Sequence, residues 1–255
     1  MLDEFHKGGD PPFLLSDAWP GDLMPVPAHA TVPPSPKKLK PPLYIPEASF
    51  RSIICGETRT ASGVLMNVIR SSARVQTAID RDLGSAADGQ LFETNTQHLD
   101  QSSEFLSVYI RSDRHMERVV ACFKALAWTG FGKKSSTGLG EFEIAAAPER
   151  CEWLDDVPGA NAWTALSHFV PAPGDPMDGR WRTHVTFPKF HANAVSNVFK
   201  GSILMLTPGS VFRTSEKSPR PWYGSMIPVP RPEMPKALHY GLCFSVPLVW
   251  GREAA

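Results

Sequence analysis

The clearest pattern lies near the carboxy terminus. Leu238, Tyr240, Leu242, Phe244, Val246 and Leu248 alternate with His239, Gly241, Cys243, Ser245 and Pro247. A period of two over that length predicts a half-buried strand. Pro247 has no N–H to give a ladder, which places the strand's end at a sheet edge. Shorter strands are predicted at 64–70 (VLMNVIR), 104–111 (EFLSVYIR), 140–147 (GEFEIAAA), 181–187, 203–206 and 211–213. One helix stands out. Met116, Val119, Val120, Phe123, Leu126 and Ala127 recur at i, i+3, i+4, i+7, i+10 and i+11, one apolar face of an amphipathic helix. Ser112 and Asp113 offer capping side chains before it, and Gly130 stops it.

Between the strands at 64–70 and 104–111 lies a polar, hairpin-like excursion, 71–103. The order strand, excursion, strand, helix, glycine loop, strand is the latter part of a β-α-β-β-α-β ferredoxin-like unit. Its opening strand and helix are not visible, because 10–46 is broken by eleven prolines. Phe13, Leu14, Leu15 and Trp19 are apolar, so part of that segment packs. Charged, turn-forming residues at 148–159 mark a boundary, which divides the chain into 1–149 and 150–255.

Composition narrows the class. Of 255 residues 42% are hydrophobic and 20% charged, enough to bury a core. The 25 prolines exclude a long helical bundle. Lys+Arg and Asp+Glu balance at 26 each, so no global charge draws the chain to nucleic acid or membrane. No run approaches the roughly 20 apolar residues of a membrane span. The polar amino terminus is unlike a signal peptide, and Cys55, Cys122, Cys151 and Cys243 form no C-x-x-C pair, which together predict a reduced cytoplasmic setting. That balance hides a local asymmetry: from Arg180 to Lys236 nine basic residues face two acidic ones, with seven aromatics among them. Basic residues interleaved with aromatics suit a polyanion whose bases stack, although composition alone favours a solvated surface over a sheet whose inner face uses the aromatics.

The segment Gly130–Gly140, GFGKKSSTGLG, concentrates candidate chemistry. Glycines let the backbone approach a ligand, and Lys133, Lys134, Ser135, Ser136 and Thr137 can all bind phosphate. It is not a P-loop, because Ala127 stands where that motif needs glycine and the loop follows a helix. G-x-G-x-x-G fails at Ser135.

A glycine-rich loop after the second helix of a ferredoxin-like unit resembles the RAMP superfamily of CRISPR proteins. Four further pieces resemble one branch. They are LSDAWP at 15–20 with LMPVP at 23–27, IDR at 79–81 with GQLF at 89–92, ALSHFVP at 165–171, and KGS at 200–202 with PGSVF at 208–212. In this order they resemble the subunits that cap the crRNA 5′ handle in type III-A (Csm) interference complexes, over nearly the whole chain. The family usually has a strand and helix before the first of these pieces; here little precedes it. The resemblance implies an α+β fold of two ferredoxin-like (RRM-like) domains, the first without its opening strand and helix. It also implies a thumb at 71–103, with Arg81 as a phosphate contact and Phe92 as a stacker. The implied RNA-binding set is Gly130, Gly132, Lys133, Lys134, Ser135, Ser136, Thr137, Gly138, Arg81, Phe92, Lys200 and Arg213. The implied function is a non-catalytic subunit holding the crRNA 5′ handle and docking the large polymerase-type subunit and a backbone RAMP subunit, with target RNA met indirectly and no membrane. No cofactor or metal is expected, since the eight histidines lack ligand spacing and no G-x-S-x-G elbow is present. The alternative is an RNA-processing endoribonuclease of the same superfamily using His168, His184 or His191.

Overall fold

The computed structural model describes residues 9–34, 42–80, 85–100, 103–132, 138–190, 195–216 and 218–251. In chain order the amino-terminal elements are β1 (Leu14–Pro20), β2 (Leu23–Pro25), β3 (Leu43–Pro46), α1 (Glu47–Ile54), β4 (Leu65–Met66), β5 (Ile69–Asp80), β6 (Ser85–Leu99), β7 (Leu106–Arg111) and α2 (Met116–Thr129). A short 3₁₀ turn, Glu152–Leu154, leads to β8 (Ala162–Ala165), β9 (Gly179–Arg180), β10 (Thr183–Thr186) and β11 (Ile203–Leu206). The chain ends through β12 (Val211–Arg213), β13 (Trp222–Gly224), β14 (Ile227–Pro228), β15 (Leu238–His239) and β16 (Leu242–Leu248). The architecture is α+β and mostly sheet.

Two expectations about the amino-terminal half are corrected. The stretch before residue 64 does supply a strand and a helix. β1 has no proline before its last residue, Pro20, and pairs antiparallel with β7. The helix α1 starts directly after Pro46, whose missing N–H costs nothing ahead of the first turn. Its Phe50, Ile53 and Ile54, at i, i+3 and i+4, are fully buried. The segment 140–147 is not a strand: it is irregular and mostly exposed. Three successive alanines give it little apolar area to bury, and no described strand pairs with it.

The strand predicted at 64–70 is divided. Asn67 takes φ +59, which separates β4, joined to β3, from β5. β5 and β6 then form a long antiparallel hairpin, and neither pairs with another described strand. Twelve residues at about 3.3 Å each give it a reach of roughly 40 Å. Helix α2 covers the expected face: Val119 is buried and Met116, Val120, Phe123, Leu126 and Ala127 are half-buried. His115 N donates to Ser112 Oγ at 3.1 Å ahead of the helix, and Gly130 closes it with φ +74.

The carboxy-terminal sheet has the order β13-β16-β8-β12-β9, all antiparallel. β16 lies inside it and is buried on both faces. Its even residues Leu242, Phe244, Val246 and Leu248 enter the main core with Leu14, Met24, Ile45, Phe50 and Ile54. Cys243 enters a second core with Trp163, Ala165, Phe169, Phe212 and Tyr223. Pro247 therefore sits in an interior strand rather than an edge strand. It is tolerated because β13 pairs only with Leu242–Phe244, which leaves that side of Pro247 without a paired strand among the described residues.

The alternation at 238–248 also breaks at Gly241, between β15 and β16. A Cβ there would lie 2.4 Å from Ser225 O. Gly241→Ala is expected to lower stability by about 1–3 kcal/mol through this overpacking, read as a lower urea midpoint with unchanged slope. A wild-type midpoint would mean that the backbones do not approach this closely.

Candidate nucleic-acid interface

β10 and β11 form a second hairpin, with Val185 opposite Leu204 and Thr186 opposite Ile203. Ile203 and Met205 pack with Val229 and against Val170, Phe190 and Ala237. Val185 and Leu204 are exposed, as are Phe187 (69%) and Phe199 (56%) farther out. A bridge between Lys189 and Phe199 extends the pairing. Cations cover two rings of the hairpin: Lys189 Nζ lies 4.5 Å from the centroid of exposed Phe199 and Lys200 Nζ 4.7 Å from that of half-buried Phe190. Arg231 lies 5.6 Å over Phe190 and donates to Phe199 O. Burial pushes the Lys200 ammonium pKa down, and burial together with the Lys200 charge does the same to His239.

The other expected RNA-binding residues are spread. Gly130, Gly132 and Gly138 border the glycine loop, with φ of +74, +96 and +80. These are conformations L side chains rarely adopt. Phe131 N donates to Gly140 O at 2.8 Å, which closes the loop's base. Lys133, Lys134, Ser135, Ser136, Thr137 and Arg81 lie outside the described residues, as does His191. Phe92 pairs with Gln76 across the long hairpin; its side chain lies outside what is described. Lys200 belongs to the β10–β11 hairpin. Arg213 belongs to a different cluster.

In that cluster, Arg213 Cζ lies 4.3 Å from the Trp250 ring centroid and Arg180 Cζ lies 6.0 Å from it. Arg59 donates to Gly251 O, and Asp178 pairs with Arg213 at 3.6 Å. The His29 ring is buried 5.5 Å from Trp250, with no hydrogen-bond partner on Nδ1. Burial first, then the charges of Arg59 and Arg180, push the His29 pKa down to about 4.

Two features escaped the sequence. One is a stack of near-parallel rings on one sheet face. Trp163 lies 4.0 Å from Tyr223 and 4.6 Å from Phe212, and Phe212 lies 5.8 Å from Trp181. The register of β8 with β12 places Trp163 opposite Phe212, which no local pattern announces. The other is a polar group. His168 Nδ1 lies 2.6 Å from Asp17 Oδ2, and the His168 and His184 rings are 5.4 Å apart, edge to face. Ser167 points elsewhere: its Oγ donates to Leu242 O and accepts from Phe244 N. Among the described residues no group of three or more His, Cys, Asp or Glu is placed to hold a metal ion.

No protein-family profile matches the chain, and no curated protein does. Solved structures do. A chain in the crystal structure of the Csm3–Csm4 subcomplex of the type III-A CRISPR-Cas interference complex is similar with a TM-score of 0.59 at 15% identity, over 97% of this chain and 86% of that one. The chain therefore shares the fold of a chain in that subcomplex. This agrees with the RAMP-like resemblance read from the motifs. A chain of the type III-B Cmr-beta complex bound to cognate target RNA is similar with a TM-score of 0.42 at 12% identity, over 79% of this chain and 66% of that one.

The buried His29 has a pH consequence. Below pH 6.5 the unfolded chain takes up a proton at this ring, whereas the folded chain does not until about pH 4. Stability should therefore be full above pH 6.5 and fall through this window. Wild type should lose about 2 kcal/mol more between pH 7 and 4.5 than His29→Phe does, measured by urea melts. Equal losses would show that the ring titrates normally in the fold.

Proposed function

We propose that this chain is a non-catalytic RNA-binding subunit of a type III CRISPR effector complex. In this reading it holds the crRNA 5′ handle and contacts the large subunit and a backbone RAMP subunit. The observation that carries the reading is the cation-covered aromatic hairpin, Lys189 with Phe199 and Lys200 with Phe190, on a fold similar to that of a Csm3–Csm4 subcomplex chain. Exposed rings give bases a stacking surface, and ammonium groups beside them meet phosphates. In this reading the long β5–β6 hairpin acts as the thumb, with Arg81 as a phosphate contact and Phe92 as a stacker. The glycine loop with Lys133 and Lys134 is a second phosphate contact, and two ferredoxin-like halves, 1–149 and 150–255, organise these surfaces.

A second reading has its own observation. The Asp17 carboxylate orients His168, and His184 stands beside it, which is the arrangement of a carboxylate-held general base with a neighbouring acid. That reading requires a metal-independent endoribonuclease. Incubating the chain with repeat-derived and target RNA in chelator separates the two. Intact RNA is expected; cleavage abolished by His168→Ala would establish the second reading instead.

Fluorescent crRNA binding should weaken steeply with salt, because bound phosphates release counterions. Lys189→Ala with Lys200→Ala should lower the slope of log affinity against log salt by up to about two. A salt-independent affinity, or an unchanged slope in the double variant, would remove the hairpin from the interface.

A further inference from the structure

The stack of rings in the carboxy-terminal sheet has an open end. Tyr223, Trp163, Phe212 and Trp181 follow one another with interplanar angles of 9°, 27° and 17°. The inner end is closed: Arg220 lies 4.5 Å over Tyr223 and pairs with Asp175 at 3.1 Å. The three rings behind the outer one, Tyr223, Trp163 and Phe212, are fully buried. Trp181, the outer ring, is 43% exposed. It lies where the chain leaves β9 in one sheet and enters β10 in the other, between Arg180 and Arg182.

We propose that Trp181 is a stacking platform for one unpaired nucleobase of single-stranded RNA, which adds to the ring series as its next layer. The inference deepens the RNA-binding reading and rests on it. Three features favour a flat aromatic ligand over a protein side chain. The near-parallel series presents a flat ring plane at its end rather than a pocket. Phe212 behind Trp181 is fixed by β12 pairing with β8, so the platform is ordered before binding and little freedom is lost on contact. Trp181 also shares strand parity with Val185 and Phe187, which are exposed along β10 and just beyond it. A strand of RNA following the exposed Val185, Phe187 and Lys189 side of the hairpin therefore meets the platform at the hairpin's base. Stacking of this kind tolerates any base, because every base has a π face, so the site contributes affinity rather than sequence choice.

The test compares the full chain with Trp181→Leu and Trp181→Phe, using fluorescein-labelled single-stranded RNA. Leucine keeps apolar cover over Phe212 but offers no ring. Trp181→Leu should weaken binding roughly 5- to 100-fold with the salt slope unchanged, since no phosphate contact is lost. Trp181→Phe should retain most of the affinity. A single abasic nucleotide, moved along the RNA, should reproduce the loss at one position, and there Trp181→Leu should add nothing further. Wild-type affinity in a Trp181→Leu chain that folds normally by circular dichroism overturns the platform while leaving the RNA-binding reading intact. A wild-type chain that binds no RNA overturns both.

Discussion

Trp163 sits at the centre of the carboxy-terminal sheet with one ring on each side, Tyr223 at 4.0 Å and Phe212 at 4.6 Å. Each ring comes from a different strand, so the stack fixes the lateral order of β13, β8 and β12 as well as filling space. Aromatic pairs contribute about 0.5–1.5 kcal/mol each beyond the area they bury. The three pairs from Tyr223 to Trp181 together contribute about 1.5–4.5 kcal/mol. The candidate interface depends on this arrangement. Phe169 of the second core bridges to Leu206 of β11, and Thr207 N donates to Arg182 O. The β10–β11 hairpin is thus anchored at its base to the same aromatic core.

The amino-terminal strand is joined to this sheet by directional contacts. Asp17 N donates to Leu166 O at 2.9 Å, and Leu15 N donates to the Tyr240 hydroxyl at 3.2 Å. That hydroxyl is itself deeply placed, and burial pushes its pKa up to about 12. Arg111 at the end of β7 pairs with Asp155, donates to Pro221 O and Ser245 O, and covers the Phe244 ring at 4.3 Å. These contacts flank a main core that runs from Leu14 to Trp250.

Elements whose residues make their own case were legible in the sequence. The helix at 116–129 has a 3.6-residue apolar face and a glycine stop, and 203–206 and 211–213 are strands with the predicted bounds. Segments decided by distant partners were not. β1 exists because β7 accepts it, while 140–147 has comparable alternation and no partner strand. For the site, the enrichment of basic and aromatic residues from Arg180 to Lys236 was visible, but not which cation covers which ring. Arg213 and Lys200 fall in separate clusters because β12 lies in the five-stranded sheet and Lys200 on the neighbouring hairpin. Asp17 and His168 are 151 residues apart, and no spacing rule links them.

Pro247 and Arg111 meet at the one stretch of β16 that β13 leaves uncovered. A strand adding there would need the N–H of residue 247, which proline lacks, and the carbonyl of Ser245, which Arg111 already occupies. The sheet therefore offers no template on that side for a second copy of itself. A chain this rich in β-structure gains from such a block a defence against edge-to-edge polymerisation, placed where its most apolar strand would otherwise be the easiest seed.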